Sequence, residues 1–170
     1  MKTKLNQSKL KLAIVSATLL GTAAITAPTY ASVDADLNVS ASINVACTIA
    51  TEDLAFGNYD PIITNATDPL TKMASVTSTC TVGASGSILL GNGENYTEGS
   101  GRRMVSAVDS TKFLEYSVSN AAFGGADWSG VTMTGTGSAV PEDVYGQVGA
   151  GQNTAVDGSY TDTVKVTVTY

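Results

Sequence analysis

Cys47 and Cys80 are the residues of this chain with the most definite chemistry. Two cysteines in an exported protein most simply form one disulfide. A metal site is the weaker alternative, because the chain has no histidine and two isolated thiolates cannot complete a zinc tetrahedron. The lack of histidine also removes Ser-His and Cys-His nucleophile pairs. Two adjacent carboxylate pairs remain, Glu52-Asp53 and Glu142-Asp143, and both are expected in turns as solvated charge rather than as a glycosidase pair. Asp34, Asp36 and Asn38 imitate the start of a calcium loop, but Val39 and Val45 stand where that loop needs its glycine and its glutamate. Gly91-Asn92-Gly93 and Gly149-Ala150-Gly151 open no helix and are read as turns, not phosphate loops. Phe56, Tyr59, Tyr96, Trp128 and Tyr145 could form a sugar-binding platform; a structural role is favoured for Phe56 and Tyr145, and Trp128 is left open. No catalytic residue, metal or cofactor is expected, and the chain is read as a non-enzyme.

The elements that would carry these residues are strands. From residue 32 to 47 the chain alternates: Val33, Ala35, Leu37, Val39, Ala41, Ile43, Val45 and Cys47 are apolar, and the residues between them are mostly polar. Period two belongs to an extended strand with one dry and one wet face. At about 3.3 Å per residue the stripe would reach roughly 50 Å. A domain of this size is only about 35–40 Å across. Part of the stripe is therefore expected to find its partner in another subunit.

Further along, Ala74 to Val82 alternates with one break at Ser78, and Ile88 to Leu90 reads as a short buried strand. Leu114 to Val118, Val131 to Met133 and Val144 to Val148 read as strands as well. The last element is expected to be a single strand: Tyr160, Val164, Val166, Val168 and Tyr170 on one face, interrupted only by Asp162. Short strands separated by glycine-rich turns, with no helical periodicity, predict an all-β sandwich or barrel. A sandwich with a surplus first strand and none after Tyr170 is expected to receive a strand at an open sheet edge.

Lys2, Lys4, Lys9 and Lys11 followed by the apolar run Leu12 to Ala27 read as a signal peptide, cut after Thr29-Tyr30-Ala31. An uncleaved anchor is disfavoured because no polar stop-transfer flank comes after it, so no stable membrane insertion is expected after cleavage. The remaining 139 residues (170 − 31) suffice for one domain. All fifteen acidic residues lie in that part and five of the nine basic ones, a net charge of 5 − 15 = −10. This argues against nucleic acid and anionic membrane surfaces as partners.

An ordered set of short motifs adds to this reading. Cys47-Thr48-Ile49 is followed by Leu54-Ala55-Phe56-Gly57-Asn58-Tyr59-Asp60-Pro61, Cys80-Thr81, Arg102-Arg103-Met104, Leu114-Glu115-Tyr116, Tyr145-Gly146-Gln147-Val148, Gly151-Gln152 and the ending Gly158 to Val168. In these the chain resembles the spore coat U domain proteins, which include subunits of archaic chaperone–usher pili. The resemblance spans the whole exported part and is weakest from Ser117 to Val140.

It implies an incomplete immunoglobulin-like β-sandwich completed by a donated strand. Residues 1–31 would be the signal peptide, 32–42 the N-terminal donor-strand extension and 43–170 the sandwich. Val33, Ala35, Leu37, Val39 and Ala41 would be the donor residues, and Val164, Val166, Val168 and Tyr170 would border the acceptor groove. Ile43 and Val45 would already belong to the body. The implied partners are neighbouring copies or related pilin subunits, a periplasmic chaperone and an outer-membrane usher, and the implied location is the bacterial cell surface, in a pilus supporting adhesion and biofilm. A secreted spore or cell-coat protein of the same family, or a carbohydrate-binding adhesin module, are the alternatives.

Overall fold

The computed structural model describes residues 28–170, so the basic and apolar parts of the expected signal peptide lie outside the described residues. Ala41–Tyr170 forms one compact unit, and the described residues before it, 28–40, belong to a separate N-terminal one. Nine strands are found among the described residues, and no helix: β1 (Cys47–Thr51), β2 (Leu70–Cys80), β3 (Ser85–Leu90), β4 (Arg102–Ser106), β5 (Phe113–Ser119), β6 (Val131–Thr134), β7 (Ala139–Val148), β8 (Tyr160–Thr161) and β9 (Val166–Thr169). They form a six-stranded sheet in the order β1-β2-β7-β5-β4-β8 and a three-stranded sheet β6-β3-β9. Every pairing is antiparallel.

The alternation of β2 is burial: Ala74, Val76, Ser78 and Cys80 point inward and are buried. Ser78, the break in the hydrophobic pattern, keeps its place in the period. Val118 and Val144 continue this inner face, and Ile88 and Met133 of the smaller sheet pack against it. Trp128 resolves to the core. It is buried, its indole Nε1–H donates to the Ile88 carbonyl at 3.2 Å, and its backbone N–H donates to Val118 at 2.9 Å. Buried indoles need such a partner.

Cys47 and Cys80 are directly opposed in the β1–β2 ladder and joined by a disulfide. The bridge pins the first strand at its first residue, so β1 begins at Cys47. Ile43 and Val45 fall within the compact unit that starts at Ala41, and their side chains are exposed. The reason is that β2 ends at Cys80: Thr81 still exchanges hydrogen bonds with Ala46, and the chain then turns through Gly83 at φ 84°, leaving no facing strand for the earlier residues.

Two expectations are corrected. Glu142 and Asp143 lie not in a turn but within β7, opposite Val76 and Ser75. β7 reaches beyond β5, which pairs only with residues 145–148. Its other edge is thus free at Pro141, a place where proline costs no ladder bond. The last element is two strands rather than one. β8 pairs with β4 in the large sheet, and β9 pairs with β3 in the small one.

The disulfide closes a sequence separation of 33 residues, which corresponds to about 3–4 kcal/mol in the chain-entropy account. Cys47→Ala with Cys80→Ala should lower stability by about that amount, read as an earlier midpoint in urea unfolding; an unchanged midpoint would refute the estimate.

Candidate functional site

Three strands cannot cover the inner face of six. Where the small sheet stops, Ala74, Val76, Tyr116, Val118 and Val144 form the floor of an apolar cavity of about 550 Å³. Its two rims are the two sheet edges. Thr51 at the end of β1 lies on one side, with Val164 and Val166, leading into and opening β9, on the other. β1 is bonded only to β2 and β9 only to β3, so among the described residues each rim presents one unbonded edge. An apolar trough flanked by free backbone donors and acceptors is the geometry that an added strand requires.

Of the expected groove residues, Val164 and Val166 line this cavity. Val168 packs against the core opposite Ile88, and Tyr170 is exposed. Val33, Ala35, Leu37, Val39 and Ala41 lie in a stretch without strand structure, and all are exposed.

A second cavity of about 610 Å³ continues over the other half of the large sheet, and Leu54, Phe56, Met104 and Tyr160 line both. Leu54 and Phe56 lie across β7 at Gly146. A Cβ there would stand 2.6 Å from Leu54 Cδ2 and 2.9 Å from Phe56 Cζ, so any side chain in the middle of Tyr145-Gly146-Gln147 would make Leu54 and Phe56 shift. Phe56 also meets Tyr116 edge-on, with centroids 6.1 Å apart. The aromatics do not gather into one platform: Tyr145 packs on Phe123, and the Tyr59 hydroxyl donates to Gly149 at 2.7 Å and accepts from Gln152 N–H at 3.0 Å.

Asp162, which breaks the alternation of the last element, is where the chain passes from one sheet to the other. Its Oδ1 accepts from Glu94 N–H (3.0 Å), Asn95 N–H (3.2 Å) and Asn95 Nδ2 (3.0 Å). Its Oδ2 accepts from the Tyr116 hydroxyl at 2.6 Å. Gly93, at φ 90°, lies so close that a Cβ would meet Oδ2 at 2.1 Å. Burial first, and then the Asp162 carboxylate, push the Tyr116 phenol far above its usual pKa, so it remains a neutral donor.

Arg102 and Arg103 secure the neighbouring turns. Arg102 is buried; its Nε and Nη2 donate to the Gly91 carbonyl at 3.2 and 3.0 Å, and its Nη1 pairs with Asp127. Arg103 donates to the Asn95 carbonyl and lies 4.0 Å over the Phe113 ring. A signal for both was present in the sequence. Two of the five basic residues beyond residue 31 are adjacent, inside a strand pattern.

The fold and groove define an all-β sandwich of immunoglobulin-like type. The Spore Coat Protein U domain profile matches residues 33–167. The chain is 35% identical over 156 residues to Protein U of Myxococcus xanthus, covering 82% of this chain and 86% of that protein. It belongs to the Spore Coat Protein U domain family. A similar solved structure is a chain of the CsuC-CsuE chaperone–tip adhesion subunit pre-assembly complex from the archaic chaperone–usher Csu pili of Acinetobacter baumannii. The match has a TM-score of 0.54 at 22% identity, over 75% of this chain and 40% of that one, and it shows the shared fold.

Asp162→Ala should cost about 2–4 kcal/mol and Tyr116→Phe about 1–2 kcal/mol in urea unfolding. Tyr116 also sets a pH dependence. Because its folded pKa is raised, its contribution is fully present below the unfolded phenol value of about 10 and is lost as pH rises above it. Stability of the wild type should thus fall more steeply above pH ~10 than that of Tyr116→Phe; parallel curves would show that the bond does not couple to folding.

Proposed function

We propose that the chain is an exported structural subunit that polymerises by donor-strand exchange, in a pilus of the chaperone–usher kind. The observation that carries this is the apolar cavity between the free edges of β1 and β9, in a chain whose N-terminal stretch alternates like a strand yet is exposed. Residues 32–42 are the donor extension and 43–170 the sandwich it completes in a neighbour. Val33, Ala35, Leu37, Val39 and Ala41 supply the side chains that enter a neighbouring groove, and β9 supplies the bonding edge. Burying Val33, Leu37 and Val39 contributes at most about 5–8 kcal/mol by transfer values, before ordering costs. Main-chain bonds along the inserted strand add to this and slow its release.

A free groove and a free alternating strand are each an aggregation hazard. A periplasmic chaperone that lends a strand and an outer-membrane usher that exchanges it fit that need, with residues 1–31 directing export. The resulting fibre at the cell surface supports adhesion and biofilm. The likeness to Protein U supports a second reading, a secreted coat protein assembled by the same strand exchange.

Surface material should run on an unboiled denaturing gel as a ladder that collapses to monomer on heating. Deletion of Ser32 to Ala41 should abolish the ladder while leaving a folded monomer with the Cys47–Cys80 bridge. Fibres formed by the truncated chain would falsify the donor assignment.

A further inference from the structure

The two ends of the sandwich expose apolar side chains in different ways. At one end, the turn over residues 61–67 carries Ile62 and Ile63, 72% and 78% exposed. The turn is tightly framed. Asp60 Oδ1 accepts from Ile62 N–H (2.9 Å) and Ile63 N–H (3.0 Å). The buried Asn65 amide accepts from Asp60 N–H and donates to the Asp68 carbonyl, each at 3.0 Å. Hydrogen bonds thus hold two β-branched side chains in water, where they gain nothing from burial. Val108 stands at the same end and is 69% exposed: Gly158 backs onto it and shares a cavity with Pro61. At the opposite end Val82, 80% exposed, lies two residues past the Cys80 that is bridged to Cys47. The eleven residues of β2 separate these ends by about 33 Å.

Strand polarity brings unlike ends together in a polymer. β9 runs so that Thr169 pairs with Ser87, near the Cys80 end, and Val166 pairs with Leu90, farther from it. A donor bonded to β9 in the antiparallel sense used throughout this fold runs from the acceptor's Cys80 end towards its Ile62 end. Its last apolar donor residue, Ala41, emerges there. Only residues 42–46 then lead to β1 of the donor's own sandwich, a reach from Ala41 to Cys47 of at most about 22 Å. The donor's Cys47 end, with Val82, is therefore brought against the acceptor's Ile62 end.

We propose that Ile62 and Ile63 of one subunit pack against Val82 of the next copy of this chain, a second interface that fixes the angle between successive subunits. The inference rests on the strand-exchange reading and adds a contact which that reading does not need.

Cross-linking tests it in the full-length chain assembled at the surface. All the positions are exposed, so substitution leaves the core intact, and opposite ends of one domain cannot bridge within a subunit. Ile62→Cys with Val82→Cys, and separately Ile63→Cys with Val82→Cys, should give a ladder that survives boiling without reductant and collapses with it. Mass spectrometry should find the peptide around position 62 or 63 joined to that around position 82. Each single substitution should give dimers at most. A ladder that forms unboiled in both double variants, yet falls to monomer on boiling without reductant, overturns the interface and leaves strand exchange standing. Absence of any unboiled ladder in the wild type removes both.

Discussion

The Asp162 carboxylate gathers three N–H donors and a phenol from two separate parts of the chain, the turn after β3 and the middle of β5. A carboxylate on the apolar face of a strand is costly unless its oxygens are satisfied. Satisfying them here takes the last strand apart. Tyr160 and Thr161 stay with β4, residues 162–165 bond along the turn between β3 and β4, and Val166 onward joins β3. The crossing segment lines the cavity, with Val164 and Val166 among its lining residues. Gly93, with no room for a side chain, and the buried Arg102, tied to the Gly91 carbonyl, hold the turn that receives it.

Even with this crossing the two sheets stay unequal, and the inequality makes the groove. Six strands present an apolar face and only three return to cover it. Trp128 and Met133 fill the covered half, while Leu54 and Phe56, laid over Gly146, divide what remains into two cavities. Apolar surface left accessible to water represents unrealised stabilisation of about 25 cal/mol per Å², and an edge strand leaves its backbone groups to solvent. Both deficits lie along the same line between β1 and β9. A single inserted strand can answer both, which is why polymerisation is the reading that this arrangement supports best.

The sequence motifs divide by how local their physics is. Tyr145-Gly146-Gln147 is a weak family signature on its own and, in the fold, a close-packing site under Leu54 and Phe56. Arg102-Arg103 announces no role by residue type, because its partners, the Gly91 and Asn95 carbonyls, are backbone atoms that any residue could supply. Asn65 and Asn95 match a glycosylation pattern, but both side chains are committed to hydrogen bonds inside the domain. Trp128 is undecidable from sequence because an indole serves a core and a binding face equally well until its N–H finds an acceptor.

By itself the sequence determined whatever depends on one residue and its near neighbours. The period-two burial of β2, the bridge between the only two cysteines and the all-β class are all visible there. So is the free stripe that ends at Cys47. Tertiary structure decided which sheet each strand joins, and so that the final alternating run splits at Asp162, that Glu142 and Asp143 sit within β7, and that Ile43 and Val45 are exposed. The physical reason is that alternation reports only that one face of a strand is dry. Which strand lies beside it is set by hydrogen bonds and packing between residues far apart in the chain, and these exist only once the fold brings them together.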